Sequence, residues 1–269
     1  MKLPNYERVI YKRNPLVEVV CQIRFPTILK ISNQEPAEFQ DKVRFQYPLY
    51  EVKKSVSIPG SQNEIFQLAQ KMGLSLNFQD VTYCLRSEDL KWQVLLNKDF
   101  IALATTQYER YESFKARLKE ILEIFDQIYE PSFYSRIDLK YQDLIIRSNL
   151  DLDQQTTWAD LIPEHIASEL HTPEIAESLK LLIKNLEIDF EGGKLQFKHG
   201  LVMAQDPDQG KREPGYLLDA DFFVEQRTRR EDVWNVLDQF KESAGKLFRW
   251  SITDKLHEAL EPERIHSEI

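Results

Sequence analysis

The chain has 269 residues and a formal net charge of −9, from 35 basic and 44 acidic side chains. Its eight glycines include no phosphate loop or dinucleotide turn, which disfavours enzymes that depend on glycine-lined phosphate sites. A hydrophobic fraction of 42% can form a sizeable core, whereas 29% charged residues, and no apolar run near the ~18 residues of a spanning helix, argue against a membrane protein.

The first third of the chain predicts short strands and one short helix. Residues 17–25 alternate apolar and polar side chains, which is typical of a half-buried strand. Ser32 and Glu35 have the spacing of a capping box, so we expect a short helix within residues 32–48. Further short strands are predicted at residues 64–70, 74–80, 81–86, 92–96 and 100–106.

The middle of the chain predicts a long helix and a long strand. Residues 109–129 carry apolar side chains at three- and four-residue spacing, and Pro131 ends this helix. Residues 133–147 alternate again and predict the strand. Two shorter helices are predicted at residues 158–170 and 173–186.

The last third predicts a hairpin, a strand and a second long helix. Residues 186–190 and 194–203 form the hairpin, across a turn that contains two consecutive glycines. A strand at residues 215–224 leads to a helix from residue 230 to residue 260, with a break before the WSITDKL segment.

These elements indicate an α+β fold. Runs of consecutive antiparallel strands followed by a packing helix predict mainly antiparallel sheet with long packing helices, rather than a parallel doubly wound sheet. The succession of hairpin, strand and long helix occurs in both halves, so one interpretation is two degenerate modules, and coincidence is the other. The corresponding domains are residues 1–150 and 151–269, with a single compact unit left open.

The charge is divided unevenly between these halves. Residues 1–150 hold 21 basic and 19 acidic side chains, a net charge of +2, whereas residues 151–269 hold 14 and 25, a net charge of −11. The acidic half disfavours non-specific nucleic-acid binding, because it repels phosphates, and it predicts a docking face for a basic partner. An ordinary solvated surface is the alternative. Partner contacts are predicted at Trp250, off its helix's main apolar stripe, and in a polar loop at Asp206, Asp208, Lys211 and Arg212.

Four segments resemble a sporadically distributed family of bacterial proteins of unknown function. They are YKRNPLVEVVCQIRFP and EPAEFQDKVRFQYP near the start, YSRIDLKYQDLI near the middle and LFRWSITDKL near the end, and the likeness extends over the whole chain. The resemblance implies a bacterial cytosolic protein, and scattered distribution is typical of genes in mobile elements or defence loci. The family brings no established catalytic residues, so none is carried over.

The sequence contains no recognisable catalytic or metal-binding motif. No two histidines lie at helical spacing around a glutamate, and no serine lies in a nucleophile elbow. We therefore predict no catalytic residue, no metal and no cofactor. Cys21 and Cys84 are predicted to be buried free thiols in a reducing compartment, with a disulfide as the alternative.

One set of charged residues shares strand faces and forms a candidate ligand site. Its members are Glu18, Gln22 and Arg24 on one strand, Arg136, Asp138 and Lys140 on another, and Asp219 with Asp221 on a third. If these strands are neighbours, the groups converge in a polar groove for a nucleotide or phosphate ester, in which arginines hold the anion and carboxylates hold a metal. Cross-strand ion pairing on a solvated sheet face is the alternative.

The leading hypothesis is a non-enzymatic interaction component of a bacterial multi-protein or defence-associated system. It would act in the cytoplasm, with the acidic C-terminal half as docking surface for another protein encoded nearby. The alternative is a nucleotide- or phosphate-ester-binding protein or enzyme that uses the charged strand faces. Sequence-specific nucleic-acid recognition is not supported, because the sequence contains neither a stripe of basic residues nor a known nucleic-acid-binding motif. A homo-oligomer is left open.

Overall fold

The computed structural model describes residues 2–56, 79–153, 155–205 and 212–264. The strands are β1 (Val9–Tyr11), β2 (Leu16–Arg24), β3 (Leu49–Val56), β4 (Gln79–Arg86), β5 (Trp92–Asn97), β6 (Phe100–Thr105), β7 (Arg136–Ile146), β8 (Lys184–Phe190), β9 (Gly193–Gln205), β10 (Arg212–Val224) and β11 (Pro262–Arg264). The α-helices are α1 (Leu29–Asn33), α2 (Ala37–Val43), α3 (Tyr111–Tyr129), α4 (Pro173–Ala176), α5 (Val233–Trp250) and α6 (Asp254–Ala259).

Nine of these strands form one antiparallel sheet in the order β3-β4-β5-β6-β2-β7-β10-β9-β8. β1 and β11 pair separately and join the two ends of the described chain. The antiparallel sheet and its helices confirm the α+β prediction. The strand predicted at residues 64–70 lies outside the described residues, as do residues 74–78 of the strand predicted at residues 74–80. β3 was not predicted.

The two halves of the large sheet have a similar order of connection, although the first half contains one more strand, β3, at its edge. β2 and β7 lie side by side at its centre. In the first half the chain returns through β4 and β5 to β6, which pairs with β2, and α3 follows. In the second half it returns through β8 and β9 to β10, which pairs with β7, and α5 follows. The predicted repeat is therefore present in the connectivity, while a common origin of the halves stays a prediction.

Both long helices pack on the same face of the sheet. Phe125 of α3 lies against Phe25 with ring centroids 4.8 Å apart, and Phe240 of α5 lies 6.2 Å from Phe222 of β10. The inward residues of β2 and β7 are almost fully buried beneath these helices, because their strands are central. The opposite face of the sheet carries the polar residues of the alternating pattern, as predicted from the period of two.

The helices predicted at residues 158–170 and 173–186 are wrong. Residues 158–167 form turns, Ser168–His171 is a short 3₁₀ helix and α4 has only four residues. Pro163 lacks the amide proton that a helix needs in its interior. The apolar side chains responsible for the prediction are nevertheless buried, and Trp158 packs 6.0 Å from Tyr216 of β10.

Two smaller predictions about helix ends have different outcomes. The capping box is wrong, because the Ser32 hydroxyl donates to the Leu29 carbonyl at 3.1 Å and α2 begins at Ala37 without a side-chain cap. The break in the last helix is confirmed, since α5 ends at Trp250 and α6 begins at Asp254, with the Thr253 hydroxyl accepting from the Leu256 amide.

The two cysteines are buried free thiols, as predicted. Cys21 lies on β2 and Cys84 on β4, with β5 and β6 between them. Three inter-strand spacings separate the two backbones by about 14 Å, which is twice the ~7 Å limit for a disulfide. The topology therefore explains why they do not pair.

The sheet is continuous across residue 150, because β7 from the first half pairs with β10 from the second along ten residue pairs. The division into residues 1–150 and 151–269 stays a prediction. Among the described helices, none is both long and apolar enough to cross a membrane.

Candidate functional site

The pairing of the central strands brings the predicted charged residues onto one face of the sheet, here called the outer face. Gln22 lies opposite Asp138, and Arg24 lies opposite Arg136. On the other side of β7, Lys140 lies opposite Asp221. Glu18 completes the set beside β7, opposite Gln142. The condition stated from the sequence, that these strands are neighbours, is therefore met.

The cations of β7 on this outer face already have carboxylate partners. Arg136 donates from Nε to Asp138 Oδ1 at 2.6 Å, and its Nη1 donates to Glu225 Oε1 at 2.5 Å. Lys140 Nζ lies 3.0 Å from Asp219 Oδ2. The Lys140–Asp219 pair joins neighbouring strands, which is the cross-strand ion pairing that was the alternative to a polar groove, whereas Arg136 and Asp138 pair within β7. An anion could bind these two cations only by displacing carboxylates.

Two carboxylates of the outer face are only partly satisfied. Asp138 Oδ2 and Asp221 Oδ1 are buried without a hydrogen-bond partner. Burial, and secondly the charge of Asp138, raises the pKa of Asp221 to about 6. Among the described residues, no three histidine, cysteine or acidic side chains are grouped so that they could hold a metal ion.

The predicted partner-binding residues are scattered. Trp250 is half-buried, and its ring packs on His165 with centroids 4.5 Å apart, so only part of it is available to a partner. Arg212 is exposed at the start of β10. Asp206, Asp208 and Lys211 lie outside the described residues. The described residues therefore do not bring this set together.

A different exposed surface lies at strand β8, which is an edge of the sheet. Among the described residues, β8 pairs only with β9, so its other side has unpaired backbone groups. Leu181, Ile183 and Leu186 are 63%, 43% and 41% exposed along this edge. We call β8 with residues 181–183 the β8 edge. Exposed apolar edge strands readily pair with another chain.

A cavity of about 410 Å³ lies on the helix-covered face of the sheet. It is bounded by the N-terminal segment with β1, by the start of α3, by β7 and by the C-terminal half of α5. Five tyrosines line it, namely Tyr6, Tyr11, Tyr108, Tyr111 and Tyr141. Its volume is within the ~300–1,000 Å³ of small-molecule sites. We call this space the tyrosine cavity.

Asp143 of β7 is an ionisable residue in the wall of the tyrosine cavity. It is 7% exposed, and its neighbours on the adjoining strands, Leu16 and Leu218, are apolar. No described side chain donates a hydrogen bond to its carboxyl group or forms an ion pair with it. Burial, and secondly the charge of Asp219, raises the pKa of Asp143 to about 8.

Two of the tyrosine hydroxyl groups around Asp143 are committed elsewhere, whereas Tyr141 Oη is buried without a hydrogen-bond partner. Tyr11 shares a 2.8 Å hydrogen bond with His257 Nδ1, and Tyr111 donates to Asp238 at 2.8 Å. Burial raises the pKa of Tyr108 to about 12, which further favours the neutral form of this hydroxyl. The register of β2 against β7 shifts between Leu16 and Glu18, beside Asp143. Such bulges are common next to functional sites.

Sequence reasoning missed this site although a signal was present. In β7 the side chains that face the helices are those of Ile137, Leu139, Tyr141 and Ile145. Asp143 lies on the same face of the strand, because it is two residues from Tyr141 and two from Ile145. A carboxylate at a core position of an otherwise regular pattern marks a polar group that must be buried. The sequence alone did not show which elements would leave a cavity above it.

No protein-family model matches the sequence, and no curated protein shows significant similarity to it.

Proposed function

We propose that the protein is a non-enzymatic interaction component of a bacterial multi-protein or defence-associated system, and that it binds a basic segment of another protein along the β8 edge. The observation that carries this proposal is the unpaired strand β8 with its exposed apolar side chains. An added strand would satisfy the outward backbone groups of β8, while pockets between its side chains would give specificity.

The charge around this edge favours a basic partner. Glu174, Glu177 and Glu191 are exposed close to β8 along the chain, and they belong to the half with a net charge of −11. Lys184 is already bound to Glu169 at 2.8 Å and so does not offset them fully. Charge complementarity between this acidic edge and a basic segment would accelerate their association and disfavour acidic competitors.

A second copy of this chain is a poorer occupant of the same edge. Pairing of β8 with another β8 would bring Glu187 and Asp189 of one copy close to the acidic residues of the other, and the ion pair of Glu187 with Lys194, at 3.2 Å, offsets only part of this repulsion. Like charges opposite each other destabilise a pair of strands. We therefore assign the edge to a different protein, encoded nearby and present in the bacterial cytoplasm, where buried free thiols such as Cys21 and Cys84 persist.

The alternative function, binding of a nucleotide or phosphate ester on the outer face, has weaker support. Of the cations predicted for this site, Arg136 and Lys140 are bound to carboxylates, and only Arg24, exposed on β2, has no ion pair with a described residue. Displacement of those carboxylates would leave Asp138 buried without its charge partner, which is costly.

Site-specific photo-cross-linking tests the proposal. A benzophenone amino acid is placed at Leu186, which is 41% exposed, and in a control at Leu90, a more exposed leucine at 60% between β4 and β5. In the native bacterial cell we expect one discrete adduct from Leu186 and none of that mass from Leu90. The cross-linked segment should be basic, and its yield should fall as salt is raised.

Three results would contradict the proposal: identical adducts from Leu186 and Leu90, no adduct from Leu186, or adducts that contain this chain alone.

A further inference from the structure

We propose that the tyrosine cavity binds a small organic amine, whose ammonium group pairs with Asp143 and whose apolar or aromatic body packs against the tyrosine rings. This inference does not depend on the β8 edge, because the cavity is formed by the N-terminal segment, α3, β7 and α5. The two sites can therefore fail or succeed separately.

The shape of the cavity favours a small molecule rather than a protein segment. Its volume of about 410 Å³ would hold a ligand of modest size. Tyr108 meets Tyr141 edge-on, with centroids 5.9 Å apart and an interplanar angle of 89°. Such rings present fixed apolar faces and edges to a ligand.

The unpartnered carboxyl group of Asp143 is the second, independent observation. A buried carboxyl without a hydrogen bond lowers the stability of a fold, and replacement by an apolar residue would remove that cost. The neighbours Leu16 and Leu218 provide no compensation. An ammonium group would complete the site, because it donates strong charge-assisted hydrogen bonds to a carboxylate.

The surrounding rings discriminate among ligand classes. The faces of tyrosine rings attract cations, and this attraction strengthens where water is excluded. A ligand carboxylate placed at the same depth would be repelled by Asp143 and would gain nothing from the rings. A neutral hydrocarbon would fill the space but leave the carboxyl group unpaired. The combination of Asp143 with Tyr11 and Tyr108 therefore favours an amine.

The mouth of the cavity is electrostatically mixed and does not exclude a cation. Arg8 is bound to Glu112 at 2.7 Å, and Arg249 is bound to Asp254. Arg110, Lys241 and Lys246 also line the cavity, and Glu7, Glu109 and Glu242 supply three opposite charges. The charged and titratable groups that face Asp143 or lie closest to it are Tyr11, Tyr108, Tyr141, Asp219, Lys241 and Arg249.

Calorimetric titration with a matched pair of probes tests the ligand class. The amine probe is 2-phenylethylamine, and the anionic probe of similar size is 3-phenylpropionate. We expect binding of the amine and no measurable binding of the carboxylate to the full chain at pH 8. Equal binding of both probes, stronger binding of the carboxylate, or no binding of the amine would overturn the proposal.

Two substitutions locate the bound amine. Asp143→Asn removes the charge without changing side-chain shape and should weaken amine binding by about tenfold or more. Ala220→Leu keeps the carboxyl group but extends a side chain of β10 into the cavity, and it should also weaken binding. Asp41→Asn, on the exposed surface of α2, is the matched control and should bind as the parent does. If either Asp143→Asn or Ala220→Leu binds the amine with the affinity of the parent protein, the proposal is overturned.

The pH dependence gives a readout that a purely structural role of Asp143 would not produce. The amine requires the ionised carboxylate, so binding below pH 8 should release one proton from Asp143. Affinity should then rise by about tenfold per pH unit between pH 6 and 8 and level off above. Asp143→Asn should abolish this slope. An affinity that is constant or falls as the pH rises over this range would contradict the assignment.

Discussion

Arg136 and Asp138 are held together on the outer face of β7, with Nε 2.6 Å from Oδ1. The guanidinium carbon also lies 3.9 Å from the centroid of the Phe223 ring, so the cation is fixed by stacking as well as by hydrogen bonds. Burial raises the pKa of Asp138, and Arg136 opposes this rise. The pair therefore holds a buried carboxyl group and its cation together in the centre of the sheet.

Replacement of Arg136 should destabilise the protein much more than replacement of its neighbour Arg24. Arg136→Ala leaves the Asp138 carboxyl buried without its main partner, which should lower the free energy of unfolding by about 3 kcal/mol. Arg24→Ala is the control, because Arg24 is exposed, and it should stay within about 0.5 kcal/mol of the parent. Urea unfolding measures both. Equal stability of the two variants would show that the pair is not structural.

Asp143→Asn is expected to stabilise the protein at pH 7, and to do so less at pH 4. The Asp143 carboxyl group has a pKa of about 8 in the folded protein and a pKa of about 3.9 in the unfolded chain. Between these values the folded state keeps a proton that the unfolded state has lost. The contribution of Asp143 to the free energy of unfolding is therefore fully present below pH 4. It falls by roughly 1.4 kcal/mol per pH unit as the pH rises, and it is lost above about pH 8.

Urea unfolding of the parent and of Asp143→Asn across this range measures the difference. Asp221, whose pKa is raised to about 6, adds the same dependence to both proteins, so it cancels in the comparison. Asp41→Asn controls for the chemistry of the substitution on a solvated helix. Parallel pH profiles for parent and Asp143→Asn would mean that the carboxyl group is not buried as described.

The same substitution at two glycines should have opposite effects on stability. A Cβ atom at Gly200 of β9 would lie 1.8 Å from the Leu182 carbonyl oxygen, so Gly200→Ala should cost about 3 kcal/mol. At Gly245 a Cβ atom would meet nothing within 4 Å, and the residue lies inside α5. Gly245→Ala should therefore stabilise the protein by about 1 kcal/mol. Thermal unfolding measures both, and a shift of the same sign in the two variants would refute the prediction.

Both cysteines should resist alkylation until the protein unfolds. Cys21 and Cys84 have no exposed surface, and burial raises the pKa of each thiol, so little thiolate is available. With iodoacetamide we expect native labelling about two orders of magnitude slower than labelling in denaturant. Mass spectrometry should count two adducts per chain in denaturant, which serves as the control. Rapid labelling of either thiol in the native protein would contradict the described burial.

The parts of the fold that could be predicted from sequence are those with a strong local period. The alternation in residues 17–25 and 133–147 assigned residues 18–24 of β2 and residues 136–142 of β7 to faces, and the structure agrees. The long helices were predicted because their apolar spacing continues for many turns. The meeting of Gln22 with Asp138 could be stated only as a condition, since the pairing of β2 with β7 joins residues more than one hundred positions apart.

The remaining errors arise where tertiary packing overrides local pattern. Residues 158–170 carry apolar side chains at helical spacing, but Trp158 and Leu161 reach the core from turns. The tyrosine cavity depends on how the N-terminal segment and α5 cover β7, which no local pattern records. Asp143 was visible as an irregularity in its strand, but its consequence required those covering elements.

The central position of β7 affects the order in which the nascent chain can fold. When the ribosome has released the first 150 residues, β7 can pair with β2 but still has one open edge. Its second neighbour, β10, is complete only at Val224. During the synthesis of the intervening residues, a strand that is internal in the finished protein is exposed to other chains. Chaperone binding or slow release from the ribosome would therefore matter most in this interval.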